Sequence, residues 1–148
     1  MEIVTEFRCD ECGFDNTTMT NADLVAAIAS FAVDEATLSA QRPSPDVWSP
    51  REYAWHMASV FEFYGGRIEQ VLTVERPQLE GHDYTVDPTP APMPDVARVV
   101  AGLRDLTPEQ WRRVGLGSSD GAERDIRNLA SRLAHECVHH TLDMARSQ

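Results

Sequence analysis

The residues able to do chemistry in this 148-residue chain are few and unevenly placed. Three of the five histidines fall within His135-Glu136-Cys137-Val138-His139-His140-Thr141-Leu142-Asp143. Read on a helix, the preceding Ile126, Leu129 and Leu133 define a buried stripe. The same spacing continues to Glu136, then His140, then Asp143 or Met144. A carboxylate and an imidazole therefore replace apolar side chains on the inner face, four apart and so neighbours on successive turns. His135 and His139 are also four apart, but they share their face with Asn128, Arg132 and Arg146, which reads as solvated; they are the alternative ligand pair. His56 is the matching group, on a second apolar stripe between Tyr53 and Val60.

An inward histidine opposite an inward Glu/His pair supplies three N/O donors with a vacant position, the arrangement of a catalytic divalent site. The donor types suit zinc first, with nickel as an alternative. In a partly apolar pocket such a metal lowers the pKa of a bound water or thiol. The plainer alternative is a buried Glu136–His140 pair beside a satisfied core histidine. Glu35 falls on a stripe between Phe31 and Leu38, where it either backs His56 or borders the core. Asp143, one turn beyond His140, is a candidate acceptor behind that histidine or a packing residue. Arg51 and Arg132 are candidates for an anionic thiol or substrate, against the default of solvated arginines.

Cys9-x-x-Cys12-Gly13 has the form of one knuckle of a zinc ribbon. A structural zinc needs four ligands, and there is no second Cys-x-x-Cys. The alternatives are a mobile extension with two reduced thiols, a zinc shared between subunits, or a redox pair. Cys137 points away from Glu136 by one residue's rotation and reads as a small buried hydrophobe. Trp48 and Trp111 are expected to pack beside helix ends, and His82 to be merely polar.

Four helices must position these groups. Residues 1–18 read as an extension and 19–148 as the folded domain. The first helix is expected over about 21–41, capped by Asn21 and ended by Pro43 and Pro45. Ser49-Pro50-Arg51-Glu52 is a capping box with proline at the first helical position, and opens a helix over about 50–74. Gly65-Gly66 either weakens this helix or admits a close neighbour. Prolines 77, 88, 90, 92 and 94 make 75–94 a long crossover. A third helix follows at about 94–106, then a short one opened by the box Thr107-Pro108-Glu109-Gln110. Gly115, Gly117 and Asp120-Gly121 mark a loop with a small hairpin turn, and the last helix covers about 123–146. No convincing strand is present, so the expected fold is an all-α four-helix bundle.

Composition narrows the partners. Thirteen basic residues, all arginine, against twenty-four acidic ones give a formal charge of -11. That opposes nucleic acid and anionic membrane as partners. The apolar fraction of 42% is enough for a packed core. No run approaches a membrane span, and the acidic N-terminus lacks a signal peptide's basic start, which predicts a cytoplasmic protein. An odd cysteine count suits a reducing compartment.

Three stretches together resemble the DinB/YfiT-like superfamily, which includes the thiol-dependent maleylpyruvate isomerases. They are Val47-Trp48-Ser49-Pro50 through Glu52 and His56, the loop Ser119-Asp120-Gly121, and His135-Glu136-x-Val138-His139-His140-x-x-Asp143. The resemblance spans most of 20–146. It implies an up-down-down-up bundle with a long connection between its second and third helices. It also implies a divalent metal held by His56, Glu136 and His140, with Glu in place of the first histidine of the commoner three-histidine pattern. A low-molecular-weight thiol such as mycothiol or bacillithiol would be cofactor or co-substrate, activated as thiolate for isomerisation or S-transfer to an electrophile. Pairing as a homodimer is the assembly such bundles imply. A different class, a non-catalytic stress or metal-binding protein that keeps the fold, is the competing reading.

Overall fold

The computed structural model describes residues 6–81, 86–118 and 120–148. His82 and Ser119 of the loop motif lie outside them. The described residues form five α-helices, α1 (Asn21–Ala29), α2 (Pro50–Thr73), α3 (Val96–Arg104), α4 (Pro108–Trp111) and α5 (Ile126–Arg146), with three short strands among them. The strands are β1 (Gln78–Leu79), β2 (Val114–Gly117) and β3 (Glu123–Asp125). α1, α2, α3 and α5 form a four-helix bundle of up-down-down-up order. α1 and α2 follow one another in sequence, yet each packs mainly on α3 and α5. That arrangement requires the proline-rich crossover between α2 and α3.

α2 begins where its capping signal sits. The buried Ser49 hydroxyl accepts from the Glu52 N–H at 3.1 Å, and the Glu52 carboxylate accepts from the Ser49 N–H at 3.1 Å. Met57, Val60, Phe61, Tyr64, Ile68 and Val71 then line its buried face. Gly65 lets α3 approach: a Cβ there would lie 3.1 Å from Val99 Cγ2, whereas one at Gly66 meets open space. α5 buries Ile126, Leu129, Ala130, Leu133, Ala134, Cys137 and Met144.

Glu52 also receives two hydrogen bonds from the Arg42 guanidinium, at 2.8 and 2.6 Å. Arg42 holds its carboxyl down to about 2, against an ordinary value of 4.5, with burial opposing and the Ser49 N–H assisting. The folded value lies below the unfolded one, so the contribution is complete above about pH 4.5 and is lost as the pH falls towards 2. Thermal melts below pH 4.5 should therefore show the wild type losing Tm more steeply than Glu52→Gln, which retains the capping geometry without the charge. Parallel slopes would show that the pair is not linked to folding.

Two expectations need correction. α1 stops at Ala29 rather than near residue 41. Its N-cap is Thr20, in a capping box with Asp23, rather than Asn21. Asp34 then caps a separate 3-10 turn over Glu35–Thr37 by accepting from the Ala36 N–H. A short polar side chain that captures nearby backbone N–H groups ends one helical run and starts another. The glycine-bearing loop is also more ordered than a turn alone. β2 pairs antiparallel with β3 and parallel with β1, giving the sheet order β1-β2-β3. Leu79 is fully buried against Gly115, where a Cβ would come within 2.9 Å of the leucine side chain. No helix of the described residues is long and apolar enough to cross a membrane.

Candidate metal centre

α2 and α5 lie along one another, and their inner faces meet where the apolar stripes are interrupted. His56 projects from the second turn of α2, and Glu136 and His140 from successive turns of α5. Glu136 Oε2 lies 2.8 Å from His140 Nε2 and 3.9 Å from His56 Nε2. One donor atom from each residue falls within 4.8 Å of the others. The three side chains are 14%, 22% and 14% exposed for His56, Glu136 and His140, so the cluster is lined by protein yet open to small molecules.

The electrostatics bind the cluster together. Burial pushes the Glu136 carboxyl up, but the hydrogen bond from His140 and the nearby His56 imidazole overcome this and hold it well below the usual carboxylate range. Burial likewise pushes His140 down, while hydrogen bonds and charge from Glu136 and Asp143 raise it on balance. Asp143 Oδ2 accepts from His140 Nδ1 at 3.0 Å. That bond points Nε2 at Glu136, the orientation a metal-ligating histidine takes from a carboxylate behind it.

Two aromatic rings wall the cluster. Trp48 stands 5.2 Å from the His56 ring and Tyr53 5.5 Å from the His140 ring, centroid to centroid. The Trp48 indole N–H donates to Asp87 Oδ1 at 3.2 Å, and Arg42 reaches Asp87 Oδ2 at 3.2 Å, which ties the crossover to the start of α2. Reading Trp48 only as packing beside a helix end misses this placement. The available signal is its position immediately before the cap residue, eight residues ahead of His56.

The other singled-out residues have different partners. Glu35 accepts from the Trp55 indole at 3.1 Å and makes no hydrogen bond with His56. Arg51 donates to the Leu38 carbonyl at 2.9 Å, so its guanidinium anchors the segment before α2. Arg132 lies over the Phe7 ring and donates to Asn128 Oδ1 at 3.1 Å. Neither arginine makes a polar contact with the three candidate ligands. Cys137 is buried, and burial pushes its thiol far above the ordinary range, as an inert hydrophobe requires. A cavity of about 750 Å³ opens between α2 and α3, lined by Phe61, Gly65, Ile68, Met93 and Val99, but it includes none of the candidate ligands.

Most of the face expected to be solvated is covered, with Arg146 at its end exposed. His135 and His139 are 13% and 18% exposed, and Asn128 is fully buried. What covers them is the segment read as a mobile extension. Residues 7–16 form a hairpin: the Cys9 N–H donates to the Phe14 carbonyl, and the Gly13 N–H to the Cys9 carbonyl. Gly13 takes a positive φ of 77°, which glycine adopts without strain. Phe7 and Phe14 pack on the His135 ring at 4.8 and 5.7 Å. Asn16 donates to Ser131 Oγ at 2.9 Å, and Arg127 donates to the Asn16 and Met19 carbonyls. Cys9 and Cys12 thereby come beside His135 and His139, away from the His56 cluster.

A bundle with this helix order and an inward His/Glu/His cluster defines a class of helical proteins whose site lies between the second and last long helices. Residues 16–144 match the DinB superfamily, and the chain belongs to it. Among solved structures the chain is similar to YfiT from Bacillus subtilis, described as a probable metal-dependent hydrolase with an unusual four-helix bundle topology. The two are 19% identical over 85% of this chain and 82% of that one, with a TM-score of 0.52, a likeness of fold. A search of curated proteins finds no match.

Proposed function

We propose that this protein is a divalent-metal-dependent enzyme that transfers a low-molecular-weight thiol, of the mycothiol or bacillithiol kind, to an electrophilic small molecule. The observation carrying the proposal is the convergence of His56, Glu136 and His140 within 4.8 Å, two nitrogens and one carboxylate oxygen drawn from facing helices. Bound tetrahedrally to zinc, such donors stand about 3.3 Å apart, and the observed separations of 2.8 and 3.9 Å bracket that figure. The donor set therefore fits the metal, with zinc first and nickel as the alternative. A divalent ion held there supplies Lewis acidity that lowers the pKa of an adjacent thiol or water.

The chain's own residues do the rest. Asp143 keeps His140 in the tautomer whose Nε2 is available. Trp48 and Tyr53 wall the site and limit bulk water around it. Hydrolysis is the second reading, favoured by the description of YfiT, and it uses the same three ligands with water as nucleophile.

The test is a conjugation assay on zinc- or nickel-loaded protein with mycothiol or bacillithiol and a bromobimane electrophile. We expect conjugate formation that stops on chelation and returns on adding metal. Metal-dependent ester or amide cleavage without conjugation would replace transfer by hydrolysis. A metal-loaded protein that does neither is a binding protein that keeps the fold. Failure to take up either metal ends the enzyme reading altogether.

A further inference from the structure

We propose that Cys9, Cys12, His135 and His139 form a second metal centre, a closed zinc site that staples the N-terminal hairpin to α5. One donor atom from each of the four lies within 4.8 Å of the others, and all four residues are half-buried. Two thiolates and two imidazoles are a complete ligand set for a structural zinc, with no position left open. The two cysteines come from one knuckle and the histidines from consecutive turns of a helix. The missing half of the ligand set is therefore not a second Cys-x-x-Cys.

Three independent observations point to an ion rather than to chance proximity. Cys9 Sγ lies 3.7 Å from His139 Nδ1. Sulfur and nitrogen bound to one tetrahedral zinc stand about 3.6 Å apart, given bonds of about 2.3 and 2.0–2.1 Å. His135 Nε2 is buried and has no hydrogen-bond partner, an orphaned nitrogen that a metal would satisfy. The outer faces of both rings are already backed by carboxylates: His139 Nε2 lies 3.5 Å from Asp143 Oδ2 and 3.5 Å from Glu11 Oε2, and His135 Nδ1 lies 4.0 Å from Glu136 Oε1. Carboxylates behind the ring hold ligating histidines in the right tautomer.

Charge and packing agree. Two thiolates and two neutral imidazoles around a dication sum to zero, which a pocket walled by Phe7 and Phe14 tolerates better than two free thiolates. The soft sulfur donors select zinc over harder divalent ions. The centre has no substrate position, so its role is to fix the hairpin and, through Asp143 and Glu136, the neighbouring cluster.

The experiment uses the full chain loaded with zinc or cobalt(II), with metal counted by elemental analysis. We expect two equivalents in the wild type, a thiolate-to-cobalt charge-transfer absorption, and zinc–sulfur scattering at about 2.3 Å by X-ray absorption. The double variant Cys9→Ser/Cys12→Ser should lose one equivalent and the charge-transfer band. His56→Ala should lose the other equivalent and keep the band, so the two centres fail separately. Because loss of the thiols also removes what would hold the hairpin, alkylation of the wild type gives a second readout: zinc should protect Cys9 and Cys12. Absence of the band in cobalt-loaded wild type, its persistence in the double variant, or equal alkylation with and without zinc would each overturn the proposal.

Discussion

His56→Ala should strip one equivalent of divalent metal from the protein while leaving its helical content unchanged. Glu136 and His140 sit four apart on one helix and already touch at 2.8 Å. Without the α2 nitrogen they form a two-donor site that a dication binds weakly and a water-filled gap weakens further. Loss of one of three protein ligands should exceed the roughly 10–100-fold affinity loss typical when only a partner behind a ligand is removed. The fold should survive because His56 is only partly buried, while Met57, Val60 and Phe61 beside it carry the burial on that face. A stability cost of about 1 kcal/mol is the expected scale for such a half-buried site. Elemental analysis after zinc loading and desalting, read beside circular dichroism, decides the matter. A variant that retains the wild-type metal content would show that Glu136 and His140 bind with some other partner. Metal-dependent turnover should disappear with the metal, whichever nucleophile the enzyme uses.

The three residues in that experiment were readable from helical period alone, because each interrupts a long apolar stripe. α2 was legible almost to the residue, since Ser49, Pro50 and Glu52 state its start in side-chain chemistry. The period overextends α1 because Phe31 and Leu38 keep a helical spacing after the helix has ended. Phe31 is still buried, but Asp34 has redirected the backbone into a 3-10 turn. The small sheet was hidden because strands of two to four residues are too short to show a period of two.

The face of His135 and His139 is illegible for a deeper reason. Polarity on a helix usually means solvent, and Asn128, Arg132 and the two histidines look alike on that test. Here the covering element is ten residues of hairpin more than a hundred positions away, and the rings it lays on His135 are those of Phe7 and Phe14. A polar face covered by a cysteine-bearing hairpin has no hydrophobic period to betray it. What period cannot supply, ligand arithmetic can: an isolated Cys-x-x-Cys lacks two donors, and a His-x-x-x-His pair provides two.

Asp143→Ala should weaken metal binding at both clusters, because one carboxylate oxygen serves both. Asp143 Oδ2 stands 3.0 Å from His140 Nδ1 and 3.5 Å from His139 Nε2. Adjacent residues on a helix point about 100° apart, so His139 and His140 face different centres. Asp143, three and four residues further on, lies over both. Its removal frees both rings to rotate and to exchange tautomers. The expected loss is about 10–100-fold in affinity at each centre, larger at His140, whose contact is shorter. Asp143→Asn should show a smaller loss, since the amide oxygen still accepts the Nδ1 proton but carries no charge to raise the basicity of the ring. Competition against a chelator, with cobalt absorption reporting the sulfur-bearing centre and total metal reporting the sum, separates the two affinities. A drop confined to the His56 cluster would show that His139 takes its orientation from Glu11 instead. A drop at neither would mean that packing against Phe7, Tyr53 and the neighbouring rings orients both histidines without help from the carboxylate.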